Sequence, residues 1–111
     1  MYQRLAKALL EDIYHPVSAV ISIGDGEAIL GVHLFDTAFF GESLHVEPEA
    51  KEIWLMSNHF DGCRTLYDAD VQNLRRLCGL AGGRRLRMFL ASEEYACREV
   101  ELPESLLRVR S

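Results

Sequence analysis

His59 and Cys63 are the two residues whose types and spacing come closest to a catalytic arrangement. They lie four positions apart in an expected loop, where a thiol nucleophile needs a base within hydrogen-bond reach. Cys63 precedes an expected helix and stands beside Arg64, and both a helix N-terminus and a neighbouring cation favour a thiolate. One hypothesis is therefore a small thiol-dependent enzyme or redox sensor that uses Cys63, with His59 as the base.

The same two residues do not have the pattern of a metal site. A structural zinc ion needs four ligands, which normally include closely spaced cysteine pairs. Cys78 falls on the expected apolar stripe of a helix and Cys97 in an expected strand, so neither completes such a set. We expect no metal and no cofactor, and we interpret these two cysteines as small core residues.

Arginine and aromatic side chains suggest a different kind of site, a binding surface. If helices cover one face of the sheet, alternation places part of the strand near residue 87 on the other face. The residues expected on that open face are Arg85, Arg87 and Phe89, joined by His33 and Phe35 from an earlier strand. Phe39 and Phe40 add two adjacent rings in a loop. Arginine and aromatic residues are enriched at protein interfaces.

The leading hypothesis is therefore a non-enzymatic protein-binding adaptor, chaperone or regulator. Phe39, Phe40 and Phe89 would be its buried anchors, ringed by arginine. The same residue types also suit single-stranded RNA. However, the chain has a net charge of −5 and no run that resembles an RNA-binding signature. A protein partner or a homodimer is accordingly favoured over nucleic acid.

Length and composition bound the remaining possibilities. The chain has 111 residues, which predicts a single domain over residues 1–111. No apolar run approaches the length of a membrane span, and Glu11 and Asp12 stand where a signal peptide is apolar. Three widely spaced cysteines fit a reducing compartment, so we expect a cytoplasmic protein. Residues 1–63 carry ten acidic and three basic side chains, whereas residues 64–111 carry seven and nine.

The elements that must position these residues are organised around the stretch from Ile53 to Ala91. A strand over 53–56, a helix over about 66–81 that ends at Gly82-Gly83, and a strand over 86–91 predict a right-handed crossover with parallel strands. The loop that contains His59 and Cys63 leaves the carboxyl end of the first strand. Ligands bind at this position in open α/β sheets.

The rest of the chain completes the sheet. We expect a helix over 2–14, an antiparallel hairpin of strands 17–23 and 28–35 around Gly24-Asp25-Gly26, a short strand over 44–46, a strand over 95–102 and a short helix or tail over 104–110. The predicted fold is a single two-layer α+β domain in the order α-β-β-β-β-α-β-β. Its sheet is mixed but mostly antiparallel, and its helices lie on one face.

This order is similar, in architecture alone, to the small acidic chaperones of bacterial type III secretion. Those proteins have an α-β-β-β-α-β-β-α layout and dimerise. The resemblance implies a bacterial chaperone that acts as a homodimer, but fold alone does not fix function. The present chain departs from that family in its sequence pattern and in the short segment available for the last helix.

Overall fold

A computed structural model describes residues 2–10, 16–38, 44–59, 66–91 and 97–102, and the structural statements that follow concern these ranges. The elements in chain order are α1 (Tyr2–Leu10), β1 (Val17–Ile23), β2 (Ile29–Asp36), β3 (Glu52–Asn58), α2 (Asp68–Ala81), β4 (Arg85–Ala91) and β5 (Cys97–Val100). The five strands form one sheet in the order β2-β1-β3-β4-β5. The α+β class of the fold is confirmed.

The strand pairings confirm a mixed sheet that is mostly antiparallel. β1 pairs antiparallel with both β2 and β3, and β4 pairs antiparallel with β5. β3 and β4 are parallel, and α2 connects them, as the predicted crossover requires. The β1–β2 hairpin is also confirmed; its turn, Asp25–Glu27, is a short 3₁₀ segment in which Gly26 has φ 66°. This left-handed conformation costs glycine little because it has no Cβ.

Gly82 and Arg84 terminate helix α2. Gly82 takes the left-handed conformation that terminates the helix, with φ 59°. The guanidinium of Arg84 then donates hydrogen bonds to the carbonyl oxygens of Ala81 at 2.8 Å and Leu80 at 3.0 Å. The same group reaches the carbonyl oxygen of Glu47 at 3.1 Å. Arg84 therefore satisfies the free helix carbonyls and ties the segment before β3 to α2.

The two helices lie on opposite faces of the sheet, which corrects the prediction that both cover one face. On one face Ala6 of α1 packs in a cluster that contains Trp54 and Phe89. On the other face Leu74 and Leu77 of α2 pack in a second buried cluster. The reason lies in the central strands, because every residue of β1 is buried. A strand that is buried on both sides needs cover on both sides.

The short strand predicted at residues 44–46 is not part of the sheet. Leu44 instead packs as a buried side chain in the α2-side cluster, and Val46 packs against the same cluster. The predicted terminal helix over 104–110 lies outside the described residues. Within the described part of the chain, neither helix has the length and hydropathy needed to cross a membrane.

Candidate functional site

A buried carboxylate lies where the carboxyl end of β3 meets the first turn of α2. Asp70 has no exposed surface, and each of its oxygens accepts hydrogen bonds. The hydroxyl of Ser57 donates to Oδ1 at 2.6 Å. The Nε2 nitrogen of His59 lies 2.6 Å from Oδ2, and the backbone N–H of Tyr67 donates to the same oxygen at 3.0 Å. Asp70 thus joins β3 to the start of α2.

Further polar groups extend this arrangement across the sheet. The hydroxyl of Ser18 lies 2.7 Å from that of Thr37 and 3.2 Å from that of Ser57. The side-chain amide of Asn73 donates to the carbonyl oxygen of Thr37 at 2.9 Å. We call this set the polar cluster; it consists of Ser18, Thr37, Ser57, His59, Asp70 and Asn73, all of them buried. Buried polar groups are stable only when they are hydrogen bonded, and these groups satisfy one another.

The geometry does not form a serine triad. In such a triad the histidine takes the proton of the serine, with the carboxylate behind the ring. Here Ser57 and His59 bind different oxygens of the same carboxylate, so Asp70 lies between them. The ring of His59 is fixed on another side by Tyr67, which stacks on it with centroids 3.8 Å apart. His59 is therefore held in one orientation, with only 1% of its surface exposed.

Two of the three cysteines, Cys78 and Cys97, lie among the described residues. Cys63 lies outside the described residues, so its distance from His59 stays a prediction. Cys97 is buried, and its burial raises the thiol pKa to about 12. Cys78 is half-buried on α2. Among the described side chains, no group of three or more His, Cys, Asp or Glu residues is placed to hold a metal ion.

Arg87, at the centre of the predicted arginine and aromatic surface, is bound by carboxylates of the same chain. The guanidinium of Arg87 makes two hydrogen bonds to Glu99, at 2.6 and 2.9 Å, and one to Glu52 at 3.1 Å. These carboxylates raise the pKa of Arg87, and Arg87 in turn lowers the pKa of Glu99. Burial works against the ionised form of Glu52, but hydrogen bonds from Trp54 and Arg87 outweigh it and lower the pKa of Glu52.

Phe89 is a core residue, which corrects the expectation that it lies on an open face of the sheet and is available to a partner. Its side chain has no exposed surface, and its ring lies 4.9 Å from that of Trp54, beneath Arg87. Phe35 is also buried, but in the cluster on the other face, and His33 stacks against it. The face expected to unite these rings therefore does not exist. Arg85 alone among them is exposed.

Phe39 and Phe40 lie outside the described residues, so their role as anchors stays a prediction.

The described structure instead exposes aliphatic side chains on an edge strand, which the sequence did not indicate. We call them the β2 strip; they are Ile29, Leu30, Val32 and Leu34, which are 40–46% exposed. Val32 pairs with Ile21 and Leu34 with Ala19, so both point to the face that α1 covers elsewhere. Within the described ranges, β2 pairs with β1 alone.

No described strand pairs with the outer side of the β2 backbone. The N–H of Thr37 donates to the carbonyl oxygen of Pro16 at 3.2 Å, so the backbone polar groups of Thr37 face β1. In an antiparallel pair this direction alternates along the strand. The N–H and C=O groups of Val32 and Leu34 therefore point away from β1. They lie at the sheet edge, beside two exposed aliphatic side chains.

The chain matches no known protein-family model, and no curated protein or solved structure shows significant similarity to it. The likeness to type III secretion chaperones thus rests on the order of elements alone.

Proposed function

We propose that this chain is a non-enzymatic protein-binding domain, an adaptor, chaperone or regulator, that receives its partner as an added strand on β2. The single observation that supports the proposal is the β2 strip beside an outward-facing row of peptide groups. In strand addition, backbone hydrogen bonds provide affinity and alternate side chains provide specificity. Val32 and Leu34 supply both features at the same two positions.

The composition of β2 supports this proposal. Exposed edge strands are normally protected by lysine, proline, a bulge or short length. β2 runs for eight residues and contains no lysine, arginine or proline. Its pairing with β1 is regular from Val17↔Asp36 to Ser22↔Gly31, and the only register shift lies beyond this stretch. The edge is thus left competent for pairing along most of its length.

Energetic estimates indicate that side chains and backbone act together. Fully burying one aliphatic side chain is worth about 1.5–3 kcal/mol, so covering the exposed part of all four gives roughly 2–5 kcal/mol. Each new backbone hydrogen bond adds about 0.5–1.5 kcal/mol. Association itself costs about 4 kcal/mol or more. Burial of the β2 strip at best balances this cost, and the paired backbone must supply the net affinity.

Lysine substitutions in the strip test the proposal. We expect Val32→Lys and Leu34→Lys to lose captured protein or self-association, because each places a charge where an added strand must pack. Leu80→Lys is the matched control, since Leu80 is 44% exposed on α2, away from β2. The measurements are native mass and affinity capture, with thermal unfolding to verify that each variant folds. Equal capture by all three variants would contradict the proposal.

A second candidate function has a specific observation in its favour. The hydrogen bond that Nε2 of His59 donates to Oδ2 of Asp70 fixes the ring, as a carboxylate does for a catalytic base. This geometry fits a thiol-dependent enzyme or redox sensor in which Cys63 is the nucleophile and Asp70 positions His59. Iodoacetamide near neutral pH should then modify Cys63 selectively, with Cys97 as the unreactive internal reference. If every thiol reacts only after unfolding, this candidate is eliminated.

A further inference from the structure

The charges around β2 indicate which kind of strand it receives. Residues 16–38, which contain the whole β1–β2 hairpin, include three acidic residues and no lysine or arginine. Asp25 and Glu27 are exposed in the turn directly before β2 begins. The basic side chains of the described strands lie toward the opposite edge of the sheet, on β4 and β5. Lys51 directly precedes β3, and its N–H donates to the carbonyl oxygen of Ile23 at 2.7 Å. Two of the three acidic residues therefore stand at the turn end of the open edge, and the third, Asp36, stands at its far end.

We infer that the partner of the β2 edge is an extended protein segment with aliphatic residues at alternate positions and lysine or arginine at the end that meets the β1–β2 turn. This inference rests on the proposed function and adds the chemistry of the partner. The aliphatic positions match the β2 strip, and the basic end matches Asp25 and Glu27. Opposite charges at the rim of an interface fix register and increase the association rate.

The orientation of the segment follows from the same argument. Antiparallel pairing is the more stable arrangement per residue. β2 runs away from the turn, so an antiparallel segment has its carboxyl end beside Asp25 and Glu27. The basic residues of the partner should therefore stand at its C-terminal end.

A second copy of the chain fits this edge less well. In symmetric antiparallel pairing, the β2 strand of the second copy would bring its own Asp36 toward the acidic turn. The hairpin of that copy carries no lysine or arginine to offset the charge. Like charges at a strand pair are destabilising. The acidic turn thus favours a basic partner segment over self-pairing.

Three fluorescently labelled peptides test the inference on the full chain by anisotropy. All share the core Ser-Val-Thr-Val-Thr-Val-Ser; one has Lys-Lys at its C-terminus, one has Lys-Lys at its N-terminus, and one has Glu-Glu at its C-terminus. We expect the first to bind roughly 3–10-fold more tightly than the Glu-Glu peptide at low salt, from two exposed charge pairs. Its advantage over the N-terminal Lys-Lys peptide should be smaller, because that peptide brings its lysines to Asp36. Added salt should reduce this difference.

Two variants separate the inference from the proposed function. Asp25→Asn/Glu27→Gln should abolish the preference among the peptides while retaining binding, since the β2 strip is intact. Val32→Lys should abolish binding of all three. Equal binding of all peptides to the wild-type chain, removed by Val32→Lys, would overturn the inference but leave strand addition on β2 supported.

The remaining outcomes also distinguish the inference about a basic partner segment from the proposed function. If the peptides do not bind and native mass shows a dimer that Val32→Lys dissociates, the occupant is a second copy, which overturns the inference but not the proposed function. If neither peptide binding nor a β2-dependent dimer is found, both are overturned.

Discussion

Replacing Asp70 by alanine should destabilise the fold far more than any neighbouring acidic substitution. One carboxylate accepts hydrogen bonds from Ser57, His59 and the backbone N–H of Tyr67, in a site closed to solvent. Asp68 lies two residues earlier in the same helical turn but is exposed, which makes Asp68→Ala a matched control.

The magnitude follows from the groups that Asp70→Ala leaves behind. Each buried donor without an acceptor costs about 1–3 kcal/mol. A hydrogen bond to a charged group is worth about 1.5–3 kcal/mol. Ser57 keeps its contact with Ser18, so the main losses fall on His59 and on the first turn of α2. We expect a loss of about 3–5 kcal/mol, a large part of the 5–15 kcal/mol typical of a domain.

Urea unfolding followed by the fluorescence of Trp54 measures this loss. Trp54 is the single tryptophan and is 1% exposed, so its emission reports the folded core. Asp68→Ala should change the free energy of unfolding by about 1 kcal/mol or less, which is the size of a helix-dipole effect. Asp70→Asn should fall between the two, since its amide retains one acceptor oxygen. Equal unfolding free energies for Asp70→Ala and Asp68→Ala would refute the reasoning.

Two further predictions concern charged groups outside the polar cluster. Arg84→Ala should lower the free energy of unfolding by about 0.5–1.5 kcal/mol, because the carbonyl oxygens of Leu80 and Glu47 lose the guanidinium donor while Ala81 keeps the backbone N–H of residue 84; Arg84→Lys should recover only part of it, and an unchanged urea midpoint for Arg84→Ala would count against the capping role. For Glu99, Arg87 lowers the carboxyl pKa in the folded state, so its stabilising effect is present above the unfolded pKa near 4.5 and is lost as the pH falls through the folded pKa. Glu99→Gln should thus be less stable than the wild type at pH 7, and the difference should shrink progressively as the pH is lowered below 4.5; a difference independent of pH would contradict this assignment.

The crossover at the centre of the fold was predictable because each of its parts has a local pattern. The apolar run of β3, the stripe of α2 and the glycine stop at Gly82 each indicate one element, and their order implies parallel strands. The placement of α1 was not predictable in the same way. Ser18 and Ser22 in β1 suggest a solvent-facing side, yet both are buried. Their hydroxyls are satisfied by partners from distant segments, which no local pattern reveals.

The candidate site shows the same limit. At the start of α2, the sequence predicts Asp68 and Asp70 alike as favourable charges near a helix N-terminus. Only the packing of α2 on β3 separates them, because it buries Asp70 under His59 and leaves Asp68 in solvent. The sequence did contain one signal that distinguishes Asp70 from Asp68. Asp70 occupies the third helical position, where a carboxylate often accepts a hydrogen bond from the backbone of the residue before the helix. For β2, no signal existed, since strand order decides which strand is an edge.

The distribution of polar groups favours binding over catalysis as the primary role. His59 and Asp70 have the chemistry of a catalytic pair, but both are enclosed, whereas the accessible edge offers aliphatic side chains and open peptide groups. Across the described ranges, the one buried side-chain nitrogen or oxygen that lacks a hydrogen-bond partner is Nε2 of His33, and His33 also lies on β2. An unsatisfied buried nitrogen costs stability in the free protein. Among the described residues, the free chain is thus least well satisfied at the strand where we place its partner.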